Sequence, residues 1–340
     1  MNHCRHTPLP LLFRTLHTYK PQLFRRIPLL PTTVRKTTYT SFRMASSQAG
    51  KGGEFKANVP KQEQPLPGLE KDMAPTSEST KLEGSDGFVE YEGSGKLKDR
   101  AAIITGGDSG IGRAIAALYA REGCDSTIVY LPAEQEDAEE TKRIVESAGR
   151  KCKLIPFDLE RLRDLHEIVD AHMKEYGRLD ILVNNASKQV MCENYEDIEI
   201  DNIESTFRSN ILQMMALTKF AVPHIPKGGS IINTTSVVAF RGTSSMVDYA
   251  ATKGAIVAFT RALSKSLTKK GIRVNAVAPG PVHTPLQPAS RPADQMEGFG
   301  KQSQIGRAGQ PSEIATSFVF LASKDASLYY GQILHAYPMG

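Results

Sequence analysis

The chain has 340 residues, 40% hydrophobic and 23% charged, with a formal charge of +5. No run of eighteen apolar residues occurs, so no membrane-spanning helix is expected. Residues 1–53 hold nine Lys or Arg and no acid, leaving 33 basic against 37 acidic side chains, net −4, for the rest. The basic excess therefore belongs to the N-terminus and does not describe a nucleic-acid surface on the folded part. Cys4, Cys124, Cys152 and Cys192 form no C-x-x-C pair and have no His at metal spacing, which predicts reduced thiols and neither a metal site nor a disulfide framework.

In chain order, residues 1–43 are rich in Arg, Thr, Leu and Pro, and short apolar patches alternate with basic residues. This resembles a mitochondrial presequence, the alternative being a merely basic tail. Met44 opens Met-Ala-Ser-Ser, and initiation there would give a cytosolic form. Residues 44–97 are polar and rich in Gly, Pro, Ser, Glu and Lys, which predicts a flexible arm. Within it Gln62–Pro75 offers Leu66, Leu69 and Met73 to pack on something.

From Lys98 strands and helices alternate. Strands are predicted at 101–104, 126–131, 153–157, 179–183, 230–234, 273–278 and 332–336. Helices are predicted after the first strand, at 134–148, before Tyr176, near 202–224 and at 247–269. The pattern implies one α/β domain over 98–340, a Rossmann-type doubly wound fold with a parallel seven-stranded sheet.

Gly106, Gly110 and Gly112 sit where the first strand turns into a helix. Glycine there permits a tight turn and close approach of a diphosphate to the helix N-terminus. No Gly-Lys-Ser/Thr follows, which excludes a Walker-type loop. Tyr249-Ala-Ala-Thr-Lys253 places a phenol and an ammonium one helical turn apart, with Ser236 thirteen residues upstream. A cation beside a phenol favours the phenolate, and a nearby hydroxyl holds a reacting oxygen. That equipment moves a proton on or off a carbonyl or alcohol oxygen.

TGGDSGIG at 105–112, Asp158, NNAS at 184–187, Asn210, Ser236, YAATK at 249–253 and PGPVHT at 279–284 follow one another in a recognisable order. Residues 98–340 thereby resemble the classical short-chain dehydrogenase/reductase family. QEQPLPGLEKDMAP, RVNAVAPGPVHTPL and GRAGQPSEIA look like its subgroup of glucose/ribitol dehydrogenase homologues. The resemblance implies an NAD(P)-dependent oxidoreductase acting on a secondary alcohol or carbonyl. Tyr249 would be the general acid/base, Lys253 would tune it and hold the nicotinamide ribose, Ser236 would bind the substrate oxygen, and Asn210 would seat a relay water. Gly106, Ser109, Gly110, Ile111 and Gly112 would border the diphosphate. Tyr130, Asp158 and Leu159 would border the adenosine, Asn185, Ala186 and Ser187 its ribose side, and Pro279, Gly280, Val282 and Thr284 the nicotinamide. Ser187 replaces the usual glycine, and the C-terminus lacks the usual Gly-Gly. Tyr130 stands where an acid would favour NAD, and the missing acid inclines the choice to NADP. The family implies a homotetramer or homodimer, with the helices of Asn210 and Tyr249 at the contact. The alternative is a non-catalytic cofactor sensor, although such proteins typically lose the Tyr or the Lys.

Overall fold

The computed structural model describes residues 59–84 and 87–338. The segment read as a presequence, 1–43, and the start at Met44 lie outside the described residues.

Seven strands form one parallel sheet: β3 (Ala101–Thr105), β4 (Asp125–Tyr130), β5 (Cys152–Pro156), β6 (Ile181–Asn184), β7 (Ser230–Thr234), β8 (Arg273–Pro279) and β9 (Ile333–Ala336), in spatial order β5-β4-β3-β6-β7-β8-β9. Both faces are covered, so β3, β6, β7 and β8 are buried along their whole length. Alternation of side chains across the sheet divides the core. Ile104 and Ile128 pack with Ile115, Leu118 and Phe318 under α1 (Gly110–Arg121) and α10 (Pro311–Ala322). Ile103, Val129 and Leu182 pack on the opposite face with Ile168 of α3 (His166–Tyr176) and Leu217 of α5 (Gln213–Ala221). Among the described residues no helix is long and apolar enough to cross a membrane.

The long helix predicted near 202–224 is interrupted. α4 (Ile200–Phe207) passes through a π-helical turn, Arg208–Leu212, before α5. The periodicity of a π-bulge differs from that of an α-helix by about one residue in a single turn, too little to register in an apolar pattern.

A second departure concerns the arm. From Val59 onward the chain is laid on the domain. Val59, Met73 and Leu97 are buried, and a short hairpin, β1 (Lys81–Gly84) with β2 (Gly87–Glu90), pairs antiparallel. Its polar side chains find partners in the domain: Arg307 bridges Glu83 and Glu313 at 2.7 and 2.9 Å. Composition registers how much apolar surface a segment has to bury, and it is silent on polar groups that are satisfied by a surface elsewhere. Of the segment 44–97 expected as a flexible arm, the described residues 59–84 and 87–97 lie against the domain.

Candidate active site

Parallel strands direct their carboxyl ends to one edge of the sheet, and that edge is where open α/β sheets bind ligands. There the ends of β3, β4, β6, β7 and β8 surround a cavity of about 530 Å³. Its walls include Gly106, Ser109, Gly110 and Ile111 from the glycine loop, and Tyr130, Asp158 and Leu159 at one end. Asn185, Ala186 and Ser187 follow β6, and Pro279, Gly280, Val282 and Thr284 follow β8. Ser236, Tyr249 and Lys253 complete it. Gly112 and Asn210 stand behind the walls, where they shape them.

The glycine loop is built by close approach. Gly106 and Gly110 have φ of +61° and +48°, a region that disfavours side chains. A Cβ on Gly112 would lie 1.8 Å from the Gly106 carbonyl oxygen, and one on Gly110 would press Thr284 at 3.1 Å. Asn185 fastens the loop to the sheet, donating through Nδ2 to the carbonyls of Thr105 and Gly106, each at 3.1 Å.

At the other side α7 (Val247–Leu267) carries Tyr249 and Lys253, both buried. Thr235 ties this helix to the end of β7 through a 2.7 Å bond to the Lys253 carbonyl. Lys253 Nζ donates to the Thr234 carbonyl at 3.1 Å and lies 5.3 Å from the centre of the Tyr249 ring. Burial pushes Tyr249 up to about 12, against the downward pull of the Ser236 and Ser187 hydroxyls and of the Arg291 charge. Burial pushes Lys253 down to about 7. For each group loss of water is the largest influence, and it favours the neutral form. A neutral phenol at physiological pH is a proton donor.

Asn210 sits in the π turn, wholly buried. Its Oδ1 accepts from Lys188 N–H at 2.7 Å, and its Nδ2 donates to the Lys188 carbonyl at 2.8 Å and to Thr252 Oγ1 at 3.1 Å. Thr252 donates in turn to the Tyr249 carbonyl at 2.7 Å. Asn210 thus clamps the segment that follows β6 to the helix that carries Tyr249 and Lys253.

Several further residues border the site. Asp108 is buried in the glycine loop, and its Oδ2 has no hydrogen-bond partner among the described residues. Desolvation moves its carboxyl up to about 6. Glu134, half-buried beside Tyr130, is pushed up to about 8 by burial and by the charge of Asp108. Both acids line the end of the cavity at Tyr130, where the carboxyl end of β4 itself carries no acid. Arg291 bonds Gln287 Oε1 at 3.1 Å and stacks 5.1 Å from the Phe299 ring. Leu66 and Pro67, from the N-terminal arm, also line the cavity.

The donor set fits a dinucleotide: a glycine cradle that side chains would fill, and an orphaned buried acceptor, Asp108 Oδ2, in the same loop. Comparison with known proteins points the same way. A family model described as enoyl-(acyl carrier protein) reductase matches residues 106–336. The glucose and ribitol dehydrogenase homolog of Oryza sativa subsp. japonica is 45% identical over 291 residues, 81% of this chain and 95% of its own. The chloroplastic NADPH-dependent aldehyde reductase 1 of Arabidopsis thaliana is 46% identical over 252 residues, 72% of this chain and 88% of its own. A crystal structure of a short-chain dehydrogenase from Burkholderia cenocepacia in complex with NADP superposes with a TM-score of 0.66 at 30% identity, covering 71% of this chain and 97% of that one. The ordered motifs, the seven-stranded sheet and these matches agree: the chain is an oxidoreductase-fold protein that belongs to the classical short-chain dehydrogenase/reductase family.

Proposed function

We propose that the protein reduces the carbonyl of a small molecule with NAD(P)H, Tyr249 serving as the proton donor. The observation that carries this reading is the convergence of Ser236, Tyr249 and Lys253 on the wall of a cavity whose other wall is the glycine loop. When bound, the nicotinamide supplies the hydride. The Ser236 hydroxyl donates to the carbonyl oxygen and orients it. The Tyr249 phenol, protonated at neutral pH, delivers its proton to that oxygen as the alcohol forms. Lys253 would hold the nicotinamide ribose and return a proton to Tyr249, with Asn210 seating the water that would link Lys253 to solvent. Val282 and Thr284, on the cavity wall, would hold the carboxamide. In the reverse direction the same groups oxidise a secondary alcohol.

A second reading concerns the cofactor. The names of the two relatives above carry NADPH and NADP, in line with NADP(H). Asp108, with a buried carboxylate oxygen that has no partner among the described residues, favours a hydroxyl donor over a 2′-phosphate, and so NAD(H). Homodimer or homotetramer formation belongs to the same proposal, as does mitochondrial import directed by the basic residues of 1–43, with a cytoplasmic form starting at Met44.

The test is a panel of aldehydes and ketones, from small to bulky, assayed with NADH and NADPH in parallel on protein beginning at Met44. Turnover of at least one carbonyl is expected. Tight cofactor binding without turnover of any would instead favour a non-catalytic sensor, and a preference for NADPH of more than about tenfold would set aside the acidic-corner reading.

A further inference from the structure

The stretch from Gln62 to Ser79 reaches the cleft from outside the sheet and bonds both of its lips. On the side of the loop after β8, Gln64 N–H donates to the Pro288 carbonyl at 2.9 Å, and His283 Nε2 lies 2.8 Å from the Pro75 carbonyl oxygen. Gly68, at φ +87°, comes so near that a Cβ would lie 2.6 Å from the Pro285 carbonyl oxygen.

On the glycine-loop side Glu70 is 2% exposed. Its Oε2 accepts from Gly110 N–H at 3.0 Å, and its Oε1 accepts from Ser77 N–H and Oγ, each at 2.7 Å. The Glu70 N–H donates to Asp137 Oδ2 at 2.7 Å, and Asp137 is held by Arg113 at 3.3 Å. Between these anchors Leu66 and Pro67 face the main cavity, and Leu66 also borders a second cavity of about 360 Å³ that includes Gln189, Met191 and Arg291.

Gly110 opens α1, so its amide has no partner within the helix, and the helix dipole favours an anion there. Glu70 supplies that anion from the protein. With the bond in place, the left-handed turn at Gly110 is set before any ligand arrives, and ordering of the loop does not have to be met from binding energy.

We propose that residues 62–79 are a clasp belonging to the active site, in which Glu70 is a positioning residue for the glycine loop and Leu66 with Pro67 forms a specificity-determining wall of the substrate cavity. The proposal rests on the reading that the cleft holds a nicotinamide dinucleotide.

The experiment uses the chain from Met44 and the variants Glu70→Ala, Glu70→Gln and Leu66→Ala. Three quantities are read: Kd for NADH and NADPH by fluorescence titration without substrate, amide hydrogen exchange over 106–112 without cofactor, and KM for small against bulky carbonyls. Glu70→Ala should weaken the better cofactor about tenfold and speed exchange over 106–112, while Glu70→Gln, which keeps an acceptor, should stay within about threefold of wild type. Leu66→Ala should leave cofactor Kd within about twofold and shift the ratio of bulky to small KM by about fivefold. Wild-type Kd and exchange in Glu70→Ala, or losses in Glu70→Gln as large as in Glu70→Ala, overturn the positioning role. An unchanged KM ratio in Leu66→Ala overturns the wall. If Glu70→Ala does not fold, Ser77→Ala removes one anchor of the same carboxylate, and unchanged exchange over 106–112 there counts against the clasp. A wild-type protein that binds neither dinucleotide sinks the reading of the cleft, whereas the exchange measurement still judges the clasp.

Discussion

Tyr249 and Lys253 illustrate how burial sets the protonation state of two neighbouring groups. Each is enclosed, and each is driven toward neutrality, the phenol up to about 12 and the ammonium down to about 7. Tyr249→Phe removes the proton donor and leaves ring packing intact, so kcat should fall at least about 10³-fold with cofactor Kd within about threefold, measured by steady-state kinetics and direct titration. Retained turnover would refute the assigned acid. For Lys253 the linkage has a definite sign. In the folded chain it is neutral above about 7, and in the unfolded chain above its ordinary value of 10.5. Between those values the unfolded chain binds more protons, so the contribution of this group to stability rises with pH across that window. Below it the buried ammonium is at its full cost. Lys253→Met should therefore stabilise the protein by about 1–3 kcal/mol near pH 6, with the gain disappearing near pH 10.5, read by denaturant unfolding at several pH values. A gain that is constant with pH would contradict the assigned cause.

Two elements translate these residues into a site. The strand-to-helix turn at the head of α1 depends on Gly112, whose missing side chain lets the Gly106 carbonyl approach. Gly112→Ala forces a clash with backbone, and it should cost more than about 2 kcal/mol of stability in chemical denaturation and abolish dinucleotide binding. A variant that binds as tightly as wild type would show that the loop relaxes around the methyl group. The π turn of Arg208–Leu212 is the second device. It places Asn210 where one amide reaches both the main chain of Lys188 and the Thr252 hydroxyl on α7. The glycine turn was readable from residue spacing because steric exclusion acts on neighbours in sequence. The π turn was not, because its signature is a hydrogen-bond shift within a stretch whose apolar pattern is still helical.

At the scale of the molecule, α4, the π turn, α5 and the start of α7 leave Ile200, Leu212, Met215 and Val247 exposed, from 37% to 67%. Leu212 and Met215 are three residues apart and so share a helical face. If this face is the contact of a homodimer or homotetramer, Leu212→Glu with Met215→Glu should lower the mass measured by light scattering to that of a smaller species, because a charge at an interface core is left unpaired. An unchanged mass would move the contact elsewhere.

The sequence by itself determined the parallel α/β sheet, the glycine turn and the Tyr249–Lys253 pair, since each rests on local periodicity or short-range steric demand. Asn210 and Ser236 were legible through the order of motifs. Tertiary structure alone decided the rest. Asp108 and Glu134 converge on one cavity although they lie twenty-six positions apart, Arg291 comes to stand near Tyr249, and Glu70 reaches Gly110 across forty residues of chain. Nothing in a polar, proline-rich arm announces that its carboxylate will complete a distant helix N-terminus. That outcome depends on burial and on the partner surface, and a polar residue acquires its function from the partners that folding brings within hydrogen-bond reach.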